Sequence, residues 1–216
     1  MKKVVLTVFA VVSLLFANSQ AQVLKGYGVK AGITSSTEAL DYSNGFPVQP
    51  SKRRVGFNVA VYAEWLNIPF LSVITQLEYK QGGYLQEFSV PPSPSTSAST
   101  ILADNRVDYL SIPILAKFTF PAGDFHPYVL AGPRFDFQLG YHRTIVFNDP
   151  SLAPPYDHFK KSLLGGSFGL GTQVCHLTPV PLLVELRYNP DFSDSYQEGG
   201  LSVRNNAYDI WVGVEF

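Results

Sequence analysis

The sequence predicts an all-β protein: an eight-stranded antiparallel up-and-down transmembrane β-barrel with short periplasmic turns and long extracellular loops. Three observations predict this fold. Segments typical of strands carry their charged side chains on one face and apolar side chains on the other. Short and long connections alternate along the chain. After the N-terminal segment no run of about 20 apolar residues occurs, so strands must cross any membrane.

The first 21 residues have the features of a secretory signal peptide. Lys2 and Lys3 form the basic start, residues 4–16 form an apolar stretch, and Ser19 and Ala21 give a small-x-small cleavage site. The predicted domains are therefore a signal peptide at 1–21 and one outer-membrane β-barrel domain at 22–216.

The charge balance excludes some classes of partner. Without Lys2 and Lys3, 14 basic residues face 17 acidic ones, a net charge of about −3 with no basic patch. We therefore expect no nucleic-acid partner. The single cysteine, Cys175, excludes an internal disulfide framework, and we interpret it as a small apolar filler.

We assign the strands in chain order from the alternation of apolar and polar residues. They are predicted at residues 25–34, 53–65, 71–89, 106–120, 127–141, 161–175, 182–191 and 204–216. Short connections at 66–70, 121–126 and 176–181 alternate with long ones at 35–52, 90–105, 142–160 and 192–203. Bacterial outer-membrane barrels have short periplasmic turns and long outer loops, so we expect both termini at the periplasmic rim.

The last strand shows the alternation most clearly. Its apolar face carries Tyr208, Ile210, Val212, Val214 and Phe216, and its other face carries Asp209, Trp211, Gly213 and Glu215. A Lys or Arg on the lipid face would cost on the order of 2–4 kcal/mol at the bilayer midplane. The separation of charge is therefore what a lipid environment requires.

The inward faces of the predicted strands together form a nearly neutral set of charges. The inward bases are Lys30, Lys80, Lys117, Arg134 and Arg187, and the inward acids are Glu64, Glu78, Asp136, Glu185, Asp209 and Glu215. An eight-stranded barrel is only just filled by its own side chains. We expect these residues to form a lumen charge network that plugs the barrel; a proton path or ligand site is the alternative interpretation.

Two further features concern the barrel wall. Pro113 and Pro133 lie within strands, where each removes a ladder donor; we expect bulges there, and a functional opening is the alternative. Aromatic residues should form two belts at the membrane interfaces. The periplasmic belt is predicted from Trp65, Phe70, Phe118, Phe120 and Tyr128, and the outer belt from Tyr79, Phe137, Tyr141, Tyr188 and Tyr208.

The chain offers little catalytic chemistry. The histidines are His126, His142, His158 and His176, and no pair has zinc-motif spacing. Ser162 or Ser167 could be combined with His142 or His158, but nothing in their spacing supports a hydrolase site. We predict no enzyme, no catalytic or metal-binding residues and no cofactor.

A resemblance becomes specific in the central hairpin. The segments Tyr109–Lys117, YLSIPILAK, and Pro127–Pro133, PYVLAGP, resemble the PorT-like, OmpX-like outer-membrane β-barrel family of Bacteroidetes. The resemblance implies a cell outer membrane location in a Gram-negative bacterium and contact with outer-membrane lipid. It also implies insertion by the barrel-assembly machinery, for which Phe216 would be the assembly signal.

Several functions remain open at this point. We favour a small non-porin barrel with a structural or surface-interaction role through its extracellular loops. Loop residues that could carry this role are Tyr42, Phe46, Arg53, Arg54, Tyr156 and Tyr196. The alternatives are an accessory factor of an envelope protein-secretion system, a lipid-modifying enzyme, a small-ligand transporter and a soluble lipocalin-like carrier.

Overall fold

The computed structural model describes residues 24–42, 51–90, 99–120, 122–145, 160–175, 179–198 and 201–216. Within these ranges the chain forms β-strands and contains no helix long and apolar enough to cross a membrane. The strands are β1 Leu24–Tyr42, β2 Lys52–Ile68, β3 Leu71–Val90, β4 Ser99–Thr119, β5 Phe125–Ile145, β6 Ser162–Val174, β7 Leu182–Pro190, β8 Tyr196–Glu198 and β9 Leu201–Glu215. The predicted signal peptide lies outside the described residues.

The strands form one antiparallel sheet that closes on itself. Each strand from β1 to β6 pairs with the next, β7 and β8 both pair with β9, and β9 pairs with β1. Because β7 and β8 lie along the same edge of β9, they form one wall segment interrupted at 191–195. The described strands therefore make an eight-stranded antiparallel ring, which confirms the predicted fold class.

The strands on the outer side are longer than the sequence predicts. Pairing between β1 and β9 continues to Tyr42↔Leu201, and pairing between β3 and β4 continues to Val90↔Ser99. Parts of the predicted loops at 35–52 and 90–105 are therefore strand in the structure. The apolar outward face that identified the membrane segments is absent there because neither face of the extension has to meet lipid.

The expectation of bulges at the prolines is wrong. Pro113 pairs with Arg134 and Pro133 with Gly166, and the register is unchanged on both sides of each proline. The ladder is interrupted without a shift, since the β3–β4 pairing skips from Thr75↔Ile114 to Glu78↔Ser111. The backbone N–H groups that the two prolines lack therefore leave short gaps in the ladder and do not shift the register. The register shift between β4 and β5 lies instead between Asp108 and Tyr109.

The outer face of the ring is apolar and exposed, as a lipid-facing surface must be. Exposed aromatic residues near the two interfaces include Phe70, Phe118, Phe120, Phe137, Tyr188 and Tyr208. Two belt assignments were wrong. Tyr128 is buried beside Leu130 in the interior, and Tyr141 packs against Tyr109 and donates to Asn105 Oδ1 at 2.7 Å.

Candidate functional site: the charged interior

The predicted inward charges lie in the interior of the ring. Those that are buried are Lys30, Glu64, Glu78, Lys80, Lys117, Arg134, Asp136, Glu185, Arg187 and Asp209. Glu215 is partly exposed at the periplasmic mouth, where it accepts hydrogen bonds from the Tyr62 hydroxyl at 3.2 Å and the Gln173 amide at 3.1 Å. The side chains form three linked groups, described from the periplasmic end upward.

Glu64 is the centre of the periplasmic group. Its carboxylate oxygens lie 2.8 Å from the Lys117 ammonium and 2.5 Å from that of Lys25, and the Ser72 hydroxyl donates at 2.7 Å. The Lys117 ammonium also lies 4.6 Å from the centre of the Tyr128 ring. Two cations and a hydroxyl therefore satisfy a carboxylate that is fully buried.

Glu185 is the centre of the middle group. It forms ion pairs with Arg187 and with Lys30, whose ammonium lies 3.2 Å from Oε2, and the Tyr128 hydroxyl donates to the same oxygen at 3.0 Å. The Arg187 guanidinium lies 5.6 Å from the Trp211 ring and donates to the Gln76 amide oxygen at 3.0 Å. The middle group thus brings together side chains from β1, β3, β5, β7 and β9.

Arg134 is the centre of the outer group. Its guanidinium pairs with Asp136 at 2.8 Å and with Asp191, and Nη1 donates to the Gly166 carbonyl at 3.1 Å. By the register of the Gly165↔Asp191 bridge, Gly166 lies opposite Pro190, which has no N–H to donate. Arg134 therefore replaces a ladder donor as well as neutralising two carboxylates.

A hydrogen-bonded chain extends the outer group across the lumen. The Ser167 hydroxyl donates to the Asn189 oxygen at 2.6 Å, and the Asn189 amide donates to Asp209 at 2.5 Å. The Lys80 ammonium lies 3.8 Å from the same Asp209 oxygen. Polar groups from four strands are thereby joined, and each buried charge of this group has a partner.

Glycines in the wall make room for the longest interior side chains. A Cβ placed on Gly165 would lie 2.7 Å from Arg134 Nη2, and one on Gly171 would lie 2.6 Å from the Tyr128 hydroxyl. Both separations are shorter than the distances at which a real Cβ atom contacts another heavy atom. The plug therefore depends on glycine at these wall positions as much as on the charged residues themselves.

Three interior participants were missed in the sequence. Asp191 and Glu38 continue the inward alternation of β7 and β1, but the strand bounds drawn from apolar alternation gave Asp191 no inward role and left Glu38 in a loop. Lys25 lies next to a register shift between Leu24 and Gly26, which no simple alternation reveals. Extending the period of two past the apolar residues would have found Asp191 and Glu38.

Glu38 differs from the other interior acids. It is buried, and neither carboxylate oxygen has a hydrogen-bond partner among the described residues. Glu38 pairs along β1 with Asn205, beyond the belt residue Tyr208, so it lies in the wall outside the bilayer. Burial raises the pKa of the Glu38 carboxyl to about 8, and the Asp191 carboxylate acts in the same direction.

The histidines form no catalytic arrangement in the part of the chain that the structure describes. His126 Nδ1 lies 3.6 Å from Cys175 Sγ, and His142 Nε2 lies 3.6 Å from Asp108. His158 and His176 lie outside the described residues. Within the described ranges, no three His, Cys, Asp or Glu side chains are grouped to hold a metal ion.

The buried charged and aromatic side chains of these groups lie in the lumen. A small interior cavity in the outer half, lined by residues that include Lys80, Tyr109 and Asn205, has a volume of about 20 Å³. A site of this size admits roughly one water molecule. Ion pairs, amides and aromatic rings thus lie in the lumen at the periplasmic, middle and outer levels.

A closed antiparallel ring with an apolar outside and a charged inside defines an outer-membrane β-barrel protein. The model of the outer membrane protein beta-barrel domain family matches residues 16–197, which is more than half of the chain. The chain belongs to this family, and it is located in the outer membrane of a Gram-negative bacterium. No curated protein matches it by sequence.

Solved barrels show a similar fold at low sequence identity. Neisserial surface protein A is 18% identical over 88% of this chain and 97% of its own, with a TM-score of 0.47. Ail of Yersinia pestis is 17% identical over 88% and 98%, with a TM-score of 0.43. Outer membrane protein W of Escherichia coli is 14% identical over 88% and 97%, with a TM-score of 0.39. At sequence identities this low, the similarity is one of fold alone.

Replacing Arg134 by Met should strongly destabilise the barrel. The change leaves Asp136 and Asp191 buried without a cation, which typically costs about 3–5 kcal/mol. Urea unfolding in detergent micelles measures the loss. The triple variant R134M/D136N/D191N should recover much of the stability, and K52M, which breaks an exposed pair with Glu87, should change little. Equal stability of R134M and wild type would contradict the structural role of the network.

Glu38 should make the outer wall less stable as the pH rises. Its folded pKa of about 8 lies above the ordinary value of 4.5, so the stability it contributes is complete below pH 4.5 and is lost as the pH rises through about 8. Thermal melts should show wild type less stable at pH 9 than at pH 5. Glu38→Gln should reduce that difference, whereas Glu87→Gln, at an exposed carboxylate, should leave it unchanged. A difference that stays undiminished in the E38Q variant would exclude Glu38 as its source.

Proposed function

We propose that this protein is a small non-porin outer-membrane barrel that acts through its extracellular side, as a surface-interaction or structural protein of the cell envelope. The observation that carries the proposal is the filled lumen. Glu64, Glu185 and Arg134 each sit at the centre of a buried ion-paired group, so the interior supports the wall and is not a passage. The extracellular side is then the part of the molecule that we expect to contact other molecules.

The long outer strands also support this proposal. The β3–β4 ladder continues to Val90↔Ser99, which places the ends of both strands above the outer belt. Of the loop residues that could contact a partner, Arg53 and Arg54 lie at the start of β2, and the Arg54 guanidinium pairs with Asp104 at 2.7 Å. Tyr42 and Tyr196 lie on β1 and β8, and Phe46 and Tyr156 lie outside the described residues.

The proposal predicts negligible steady conductance in planar bilayers and an unchanged exported proteome in a deletion strain. The first follows from the filled lumen, and the second from a role at the surface. Conductance is measured on purified refolded protein, and the exported proteome by quantitative mass spectrometry of the culture medium. Large steady channels would overturn the non-porin assignment. A general loss of exported proteins would favour the secretion role below.

The alternative function is an accessory factor of an envelope protein-secretion system. It is favoured by one feature, the hairpin sequence at 109–117 and 127–133, which resembles the PorT-like barrels of Bacteroidetes. In the structure these segments lie in the paired β4–β5 wall, where Lys117 of the first segment and Arg134, directly after the second, are buried in the interior. Because both segments contribute to packing, the same residues are explained without a secretion partner, and we rank this function second.

We also propose that Phe216 acts as the signal that the barrel-assembly machinery reads, and that lipid surrounds the inserted barrel. The Phe216 ring is exposed and lies 5.9 Å from the Tyr27 ring, while its backbone exchanges hydrogen bonds with Tyr27 at 2.7 and 3.2 Å. The backbone bonds close the β1–β9 seam whatever the side chain is. The exposed ring is therefore available for recognition.

Phe216→Ala should reduce insertion in cells while leaving refolding in detergent nearly unchanged. The assembly machinery would have no aromatic ring to recognise, but the β1–β9 seam would keep its backbone hydrogen bonds. Insertion is measured by outer-membrane fractionation and refolding by heat-modifiable migration on gels. Phe216→Tyr is the matched control and should insert normally. Normal insertion of the Ala variant would contradict the signal role, and failure to refold would make the defect structural.

A further inference from the structure

Arg53 differs from four other basic residues at the outer rim, each of which has an acidic partner. Lys52 pairs with Glu87 at 2.6 Å, Arg54 with Asp104 at 2.7 Å, Arg106 with Asp108 at 2.8 Å and Arg204 with Asp194 at 2.7 Å. Among the described residues no carboxylate lies within ion-pair distance of the Arg53 guanidinium. In the part of the chain that the structure describes, no neighbouring carboxylate therefore compensates this positive charge.

Neutral groups hold this guanidinium in place on the outside of the wall. Nη1 donates to the Ser35 carbonyl at 2.8 Å, Nη2 donates to the Asn206 amide oxygen at 3.1 Å, and the Tyr208 ring centre lies 4.7 Å from Cζ. Arginine has five donors in a fixed planar arrangement, so donors remain for a ligand. Tyr208 and its stacked neighbour Tyr188 belong to the outer aromatic belt, so Arg53 lies at the level of the lipid headgroups.

An aliphatic groove lies lower on the same part of the outer wall. It has a volume of about 700 Å³, and its apolar lining includes Val29, Ala31, Val59, Val61 and Val212. In the register of the ring, Ala31 lies between Val59 and Val212. A single methyl group between two larger side chains makes the surface concave there. The groove faces lipid, and its lining suits a saturated acyl chain.

The separation between the cation and the groove matches the depth of one lipid leaflet. Arg53 and Val59 are six residues apart on β2, which is roughly 20 Å along a strand. Barrel strands tilt by about 35–45°, so the vertical separation is roughly 15 Å, half of a hydrocarbon core about 30 Å thick. A lipid with its headgroup at Arg53 would place the ends of its acyl chains in the groove.

We propose that Arg53, Tyr208 and the aliphatic groove below them form a binding site for a phosphorylated, multiply acylated glycolipid of the lipid A type. Arg53 would bind a phosphate through its free donors, with the charge-assisted geometry that guanidinium and phosphate share. The site opens at the rim opposite the short turns, which is the extracellular rim, so the ligand comes from the outer leaflet. The proposal depends on membrane insertion and is independent of the surface-interaction role.

Native mass spectrometry of the full-length folded protein, titrated with diphosphoryl lipid A, tests the site. Wild type should retain one lipid, and Arg53→Gln should weaken its binding roughly tenfold or more, because a charge-assisted contact is lost. Lys52→Gln removes the same charge one residue away, at an exposed residue already paired with Glu87, and should bind like wild type. Ala31→Trp should also weaken binding by filling the groove. Heat-modifiable migration checks that each variant is folded.

The outcomes distinguish a specific glycolipid site from general charge attraction and from self-association. Equal binding by wild type and R53Q, or equal losses in R53Q and K52Q, would overturn the proposal, since only general charge attraction would remain. Binding of phosphatidylglycerol as tightly as lipid A, with the same dependence on Arg53, would overturn the choice of glycolipid. A lipid-free dimer that A31W abolishes would show that the groove instead holds a second copy of the chain.

Discussion

The volume inside an eight-stranded ring is the constraint on which the rest of this structure depends. The ring is closed because open sheet edges cannot face hydrocarbon, and a ring of this size has room only for its own side chains. Charged groups that alternation turns away from lipid must therefore find partners within that space. Glu64, Glu185 and Arg134 succeed because each is surrounded by groups from several strands.

The interior groups also link wall strands that are distant in sequence. Lys30 on β1 meets Glu185 on β7, and Arg187 on the same strand reaches Gln76 on β3. Antiparallel neighbours alone would give a ring held only by local ladders. Contacts across the lumen add resistance to flattening, and they do so at glycine positions such as Gly165 where the wall leaves space. Structure and exclusion of a channel thus have the same physical cause.

Sequence alone was sufficient for the membrane-embedded part of this fold and less so for the rest. Strand pairing across lipid imposes a strict period of two, which identified the inward positions from Lys30 to Asp209. Above the bilayer the outward residues no longer have to be apolar, so the strand bounds drawn from apolar residues excluded the inward positions of Glu38 and Asp191 although the period of two continues there. The prediction of bulges at Pro113 and Pro133 was wrong for a different reason. An isolated missing donor can be tolerated as a gap in the ladder, and at Pro190 the side chain of Arg134 supplies the bond to Gly166. Such compensation comes from a residue distant in sequence, which local patterns cannot reveal.

The length of the β3–β4 ladder has a consequence for the reach of this protein. From the belt residue Tyr79 to Val90, β3 continues as paired strand. At about 3.3 Å per residue and a tilt near 40°, that extension stands roughly 25–30 Å above the lipid headgroups. The outer ends of the two strands, Val90 and Ser99, are therefore held well above the lipid headgroups. A soluble partner could contact these strand ends without touching the lipid surface.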